Sequence, residues 1–483
     1  MGSGAVGAGI VNIITESLYD KPIVVFREYV QNSVDSLRRA GAEYNKDLCC
    51  KIWMDENNLF FLDNGEGVLE DDFLERMVNI ARSGKNRNWD IGYKGIGRLS
   101  GISYCSKLIF VNICSFKGKQ FQEYVIDADK YNKIKWDDEF CSLEFSEAME
   151  KIGEINDNCS DIPAFLDRYG YIFNNRDTGF LVVLQNTNRV LKQVIEEDDF
   201  YDDLGWLLPV KFNNELYDEK YQSLFSMFEE KDEDKNIIPA ATYDITFNDA
   251  KIERPISGDK LRDYNCLIKM GDYAIGILSF PEGRMTIDTK NDFKGMRLYL
   301  DNMLLCDEGE IIPMLMQYGL DKHTLNEMIQ SVRCVGVMIY ITDKNSIYAN
   351  ARRTFIEVRD DDSLMFLDFL VVLVKKIYEA RYAVSKYMNR AEQQQEEDEK
   401  IEKLRKTAEA TLYSLANQEV TLPQIDKKEV KQFSDEDKRK FIKKQITQQI
   451  NVLIKEFMCS VVDLDYHCDN AYDSFITWLK SRK

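Results

Sequence analysis

The chain has 483 residues, room for about two to four domains, and its 44% hydrophobic and 30% charged residues fit a soluble globular protein with an ample core. Lys and Arg number 63 against 83 Asp and Glu, and the net charge of −20 argues against wholesale wrapping of nucleic acid, though a local basic patch stays open. The 11 cysteines, an odd number with no CxxC pair, argue against a disulfide framework or a zinc site and point to reducing cytosol.

The opening stretch GAVGAGIVNII is apolar but has no basic region ahead of it and runs straight into a helix, so no targeting segment is expected. Asp20 and Pro22 read as a helix start and Gly41 as its stop, which predicts a helix through FREYVQNSVDSLRRAG. Glu28, Asn32 and Asp35 then fall within a narrow arc at about 100° per residue. Phe26, Val30, Val34 and Leu37 form a separate apolar stripe roughly opposite. A carboxylate, an amide and a second carboxylate on one face can polarise a water and hold a metal ion. For this helix taken alone, a solvated polar face is the plainer alternative.

Strands are expected near 48–54 and 59–62, with Cys49 and Cys50 as core residues of the first. Asp63-Asn64-Gly65-Glu66-Gly67 follows the second. A carboxylate leaving a strand ahead of two glycines can accept a hydrogen bond from a base edge, and the glycines let the backbone approach a flat ligand. Such a tract is otherwise often only a hairpin turn. Next comes Gly92-Tyr93-Lys94-Gly95-Ile96-Gly97, whose backbone N–H groups can be aimed at phosphate oxygens. Each element is weak alone; the three in this order are not.

Further strands are expected near 107–115, 121–127 and 180–186, while 128–177 fits no motif and reads as an insertion. The charged EEKDEDKN (229–236) reads as a linker or exposed loop ahead of a second domain. Beyond it, strand-like runs at 242–247, 266–280, 296–305 and 334–341 alternate with helical segments in an α/β middle domain. The run Phe366 to Val374 contains Asp368 and is too short to span a bilayer. From Ser363 to about Gln418 the pattern is helical, with a seam through Ile401, Leu404, Ala408, Leu412 and Leu415. After a break at Pro423, Ser434 and Asp437 resemble a capping box opening a helix with Ile442, Ile446, Ile450, Leu453 and Phe457 on one face. That stripe packs either within the chain or in a dimer.

In ExxxNxxD, DxGxG and GxxGxG the chain resembles the GHKL ATPases, the superfamily of the ninety-kilodalton heat-shock chaperones, mismatch-repair MutL proteins, type II topoisomerases and histidine kinases. The segments ESLYDKPIVVFREYVQNSVDS, NIARSGK and IGYKGIGRLSGISYCSKLIFVNI are similar to the chaperone versions. The resemblance implies a Bergerat-type α/β sandwich over residues 1–205, with helices on one face of a mixed sheet and the nucleotide between helices and lid. An α/β middle (transducer) domain over 206–362 and a helical C-terminal region over 363–483 follow. It implies Glu28 as the general base that orients the attacking water, Asn32 as the Mg2+ ligand and Asp63 as the reader of the adenine amino group. Asp35, Gly65, Gly67 and Arg82 join the nucleotide-contacting set with the lid residues Gly92, Gly95, Ile96 and Gly97. The family's Gly-Thr pair reads Asp177-Thr178-Gly179 here, which makes Thr178 the adenine-site candidate. GMRLYLDNMLLCDEGEIIPML is similar to middle-domain strands, and Asn350-Ala351-Arg352-Arg353 to a catalytic loop in a group of shorter bacterial chaperone-like proteins. Arg353 is then the γ-phosphate arginine, with Arg352 the alternative.

The implied activity is ATP hydrolysis with ATP and Mg2+, driving lid closure and a dimer conformational cycle in a cytoplasmic, chaperone-like homodimer with a protein client or a dedicated partner subunit. The other reading is an ATP-gated clamp or switch subunit for a nucleic-acid-processing or defence effector, which the acidic charge disfavours. A signalling kinase is excluded, because His323 and His467 both lie downstream of the ATPase motifs, and no GxxxxGK[ST] tract suggests a P-loop. An arginine that meets charge developing late in the cycle acts on the transition state. Arg353→Ala should therefore slow phosphate release while nucleotide affinity by calorimetry stays near wild type. A fully active Arg353→Ala beside an inactive Arg352→Ala would move the role by one residue.

Overall fold

The computed structural model describes residues 8, 11, 21–41, 47–79, 97–159, 164–213, 241–255, 264–270, 273–280, 294–343, 346–350, 355–393 and 419–422. The chain divides into two compact units, Met1–Phe212 with Glu233–Arg254, and Asn213–Asp232 with Pro255–Lys483.

The first unit begins, among its described helices, with α1 (Val24–Arg39). The Lys21–Ile23 turn leads into it, with Val24 N–H bonding Lys21 O at 3.0 Å and Val25 N–H bonding Pro22 O at 3.1 Å. Gly41, at φ +84°, ends it as expected. The strands β1 (Cys49–Met54), β2 (Leu59–Asp63), β3 (Lys107–Ser115), β4 (Gln120–Asp127), β5 (Gly153–Cys159), β6 (Gly179–Gln185), β7 (Asp244–Phe247) and β8 (Ala250–Lys251) form one sheet in the order β5-β4-β3-β6-β2-β1-β7-β8. Neighbours run antiparallel except for β1 and β7, which are parallel. The 242–247 run therefore joins this sheet instead of opening a middle domain. Cys50 pairs with Ile245 and Ile52 with Phe247, a long-range match of apolar residues that no local pattern announces.

β2 is buried along its whole length, which is why LFFLD reads as a continuous apolar run rather than an alternating one. Side chains alternate across a strand, so Phe61 and Asp63 share the face towards α1, and Phe60 and Leu62 point the other way. On the α1 face Phe26 meets Phe61 edge-on at 5.5 Å, Phe247 at 6.2 Å and Phe200 at 5.2 Å; Phe200 opens a helix at Phe200–Leu207. On the opposite face Trp53 stacks on Phe60 at 4.5 Å and packs on Tyr169 at 4.4 Å, over Leu62, Val111, Phe173 and Leu181. Helices were expected on one face only. The second face is closed by the helix Ala164–Tyr169 and the turn Gly170–Phe173, both from the 128–177 segment that carries no motif. Strands apolar on both sides need cover on both sides.

The second unit holds β9 (Tyr264–Met270), β10 (Ala274–Phe280), β11 (Gly295–Leu300), β12 (Met303–Asp307), β13 (Gly336–Ile341), the short pair β14 (Tyr348–Ala349) and β15 (Ile356–Glu357), and β16 (Glu419–Leu422). Its main sheet runs β12-β11-β13-β10-β9-β16. The runs 266–280 and 296–305 each resolve into two antiparallel strands. β11 and β12 are joined through Asp301 and Asn302, at φ +53° and +61°, the left-handed pair of a tight hairpin. The helices Glu308–Leu315 and Leu325–Arg333, and the long α2 (Asp361–Gln393), build a core with this sheet through Ile311, Val332, Phe366, Leu370 and Val374. The Phe366–Val374 run is thus a buried stretch of α2. Among the described residues no helix is long and apolar enough to cross a membrane. β14 and β15 bracket the Asn-Ala-Arg-Arg tract, with Asn350 N–H bonding Phe355 O at 2.8 Å. The seam at 401–415 and the helix expected over Ile442 to Phe457 lie outside the described residues.

Phe26 pins α1 to three aromatic partners. Phe26→Ala should cost about 3–5 kcal/mol of unfolding free energy through lost transfer and a cavity, read in a denaturant titration. A loss under about 1 kcal/mol would mean that α1 is held elsewhere.

Candidate functional site

The polar face of α1 is not solvated. Glu28 is 6% exposed and Asp35 is fully buried, although the apolar stripe of Phe26, Val30, Val34 and Leu37 is buried too. Asn32 is half-buried. Both sides of this helix are therefore covered, and buried carboxylates need compensating donors.

At one end of the face, Arg27 Nη2 lies 3.3 Å from Glu28 Oε1. Glu28 Oε2 faces Gly97, where a Cβ would collide with it. Tyr29 fastens this junction: its hydroxyl donates to Arg98 O and accepts from Gly101 N–H, each at 3.0 Å. Burial pushes its phenol far above the usual range. The base candidate and the last lid glycine are thus brought together.

At the other end, Asp63 is 2% exposed. Burial pushes its carboxyl up to about 6, against the opposing pull of the Ser36 hydroxyl, the Gly65 N–H, the Ser33 hydroxyl and Arg39. Gly65 N–H donates to Asp63 Oδ1 at 3.0 Å. Gly67, at φ +72°, donates its N–H to Ser36 Oγ at 3.2 Å, and Glu66 N–H bonds Ser36 O at 3.2 Å. Thr178 Oγ1 donates to Gly65 O at 2.8 Å, so the reversed Asp177-Thr178-Gly179 order still brings Thr178 to the DxGxG loop. Glu28 and Ser36 lie eight residues apart along α1, about 12 Å at helical rise. That span suits a base at one end and a terminal phosphate at the other.

Several residues here escaped the motif reading. The Ser33 and Ser36 hydroxyls oppose the upward shift of the Asp63 carboxyl, and their signal was their place directly after Asn32 and Asp35 in NSVDS. Asn64 is fully buried; its amide donates to Asp47 O at 2.8 Å and Ile172 O at 2.9 Å and accepts from Cys49 N–H at 2.8 Å. Asn112 in β3 clamps the far side of the loop, accepting from Val68 N–H at 3.0 Å and donating to Val68 O at 2.8 Å. Nothing in the strand pattern of β3 announces that role. Arg82, Gly92, Gly95, Ile96, Arg352 and Arg353 lie outside the described residues.

Among the described residues no group of three or more His, Cys, Asp or Glu side chains is arranged to hold a metal ion. Mg2+ keeps waters and uses one or two protein oxygens beside substrate phosphates. The Asn32 amide, one helical turn from the buried Glu28 carboxylate, fits such a site.

Residues 21–156 match the profile of the family described as histidine kinase-, DNA gyrase B-, and HSP90-like ATPase. Chaperone protein HtpG of Rickettsia rickettsii (strain Sheila Smith) is 26% identical over 183 residues, 33% of this chain and 28% of that protein. HtpG of Sulfurovum sp. (strain NBC37-1) is 26% identical over 143 residues, 25% of this chain and 23% of that protein. HtpG of Rickettsia typhi is 27% identical over 143 residues, 25% and 22% of the two chains. The chain thus matches about a quarter of the length of these curated relatives. The matched stretch, in a mixed sheet with helices, is a GHKL ATPase domain. Within that superfamily it is related to the ninety-kilodalton heat-shock chaperones.

The Asp63 carboxyl sits at about 6 against an ordinary 3.8, so between those pH values the folded chain holds the proton more tightly than the unfolded one. Stability from this group falls as pH rises through that window, and above it the ionised form costs on the order of 3 kcal/mol. Asp63→Asn should therefore raise unfolding free energy near neutral pH, with the gain shrinking towards about pH 4. A mutant that is less stable than wild type at neutral pH would contradict this sign.

Proposed function

We propose that the protein binds and hydrolyses ATP as a chaperone-like ATPase. The observation that carries the reading is the pair of buried carboxylates at the two ends of one helix face, Glu28 against Gly97 and Asp63 held by two serine hydroxyls. Asp63 is the acceptor for the exocyclic amino group of adenine, which guanine replaces with a second acceptor. Gly65 and Gly67 allow the loop to lie against the base, and Thr178 fixes the carbonyl of Gly65. Gly92, Gly95 and Gly97 offer backbone N–H groups to the phosphates, with Arg82 nearby in sequence.

Glu28 orients the attacking water and takes up its proton as the bond to the γ-phosphorus forms and ADP leaves. Burial beside Arg27 fixes the carboxylate in direction, and positioning is most of what phosphoryl transfer to water asks of a protein. Asn32 would hold Mg2+ beside the phosphates, where the ion would supply charge neutralisation. Arg353 is the arginine we assign to the γ-phosphate. Lid closure and a homodimer cycle, acting on a protein client in the cytoplasm, complete the proposal, and the HtpG likeness supports its chaperone character.

Glu28→Ala tests it. Calorimetry should give near wild-type ATP affinity while phosphate release falls by about two to four orders of magnitude. Equal turnover by the two proteins would remove Glu28 from the reaction.

A further inference from the structure

We propose that Ser36 is a positioning residue for base recognition. One residue of α1 pins the loop that follows Asp63, through its hydroxyl to the Gly67 backbone and its carbonyl to the Glu66 backbone, and so keeps Asp63 aimed at an exocyclic amino group. This rests on the reading that Asp63 meets adenine.

Ser36 meets the DNGEG loop with both its side chain and its backbone. Its Oγ accepts from Gly67 N–H at 3.2 Å, and the same hydroxyl is the strongest influence opposing the burial that pushes the Asp63 carboxyl up. Its carbonyl accepts from Glu66 N–H at 3.2 Å. A Cβ on Gly65 would run into Ser36 Oγ and into the helix backbone at Ser36 and Leu37, so loop and helix are in direct contact. A buried serine within a helix ordinarily bonds back to a carbonyl of its own helix. Here the hydroxyl is committed across to a strand end and a loop.

The other groups around Asp63 cannot replace it. From α1, Ser33 supplies a second hydroxyl and Arg39 a more distant charge. From β1, Cys50 is the residue paired with Asp63, and burial keeps its thiol protonated; Cys49 belongs to the core on the opposite face of the sheet. From β6, the residue paired with Asp63 is the uncharged Phe180. From its own loop, Gly65 N–H is the remaining donor. Burial favours the neutral carboxyl, and a neutral carboxyl presents an O–H where the base needs an acceptor. The two serine hydroxyls oppose that shift, with Ser36 the larger influence. Removing the Ser36 hydroxyl also takes the acceptor from Gly67 N–H.

The test uses the full chain and calorimetric binding of ATP and of inosine triphosphate, which carries a carbonyl where adenine has the amino group, from about pH 5 to about pH 8. Wild type should prefer ATP near neutrality and lose that preference as Asp63 takes up a proton. Ser36→Ala should cut the preference about tenfold and move its acid midpoint upward by on the order of one pH unit. Ser36→Cys, close in size but a weak donor, should do the same and guards against a fold defect in the alanine variant. Variants that lower the melting temperature yet leave preference and midpoint in place would reduce Ser36 to packing and overturn the proposal. A wild type without preference for ATP would instead defeat the Asp63 reading, and the Ser36 role would fall with it.

Discussion

Helix α1 is covered on two faces at once, and the candidate site depends on how that is made tolerable. Its apolar stripe packs on β2 and on Phe200 and Phe247, as any amphipathic helix would. Its polar face carries Glu28 and Asp35 into the interior, and Asp63 of the adjoining strand is buried as well. Each charge out of water costs several kcal/mol unless donors replace the lost hydration. The donors are local and short: two serine hydroxyls, the Gly65 N–H, and a guanidinium next to Glu28. Such an arrangement gives up stability to keep acceptors ready, and perturbed groups of this kind gather at functional sites.

Close approach explains the motif glycines better than flexibility does. At Gly97 a side chain would strike Glu28, and at Gly65 it would strike Ser36 and the α1 backbone. Of the three, only Gly67 has the left-handed backbone that disfavours a side chain by conformation. Spacing therefore encodes contacts between segments distant in sequence, which is why a glycine pattern that means little alone gains meaning beside ExxxNxxD.

Legibility followed locality. Helix α1, its Gly41 stop, its paired faces and the strand ahead of Asp63 follow from periodicities of a few residues, and the structure has each of them. The 242–247 run is a strand as expected, but its partner is β1, some two hundred residues earlier, and strand pairing at that separation leaves no local trace. The 128–177 segment carries no motif, yet it adds the edge strand β5 to the sheet, and its helix Ala164–Tyr169 supplies Leu166 and Tyr169 to the second face. Asn64 and Asn112 were invisible for the same reason. Each is a buried amide whose role is set by carbonyls and N–H groups that only the fold brings near.

The size of residue 36 and the absence of a side chain at residue 65 are one constraint written at two positions. Gly65 must come close enough to α1 for its own N–H to reach Asp63, and a longer side chain at position 36 would hold it off. A side chain without a hydroxyl would admit the loop but leave Gly67 N–H and the carboxylate without their shared partner. Serine meets both demands: it is short enough for the contact, and its single oxygen both accepts and donates. The helix propensity lost at a serine in the last turn of α1 is at most a few tenths of a kcal/mol, roughly. That is small beside the cost of an uncompensated buried carboxylate, so local preference yields to the site.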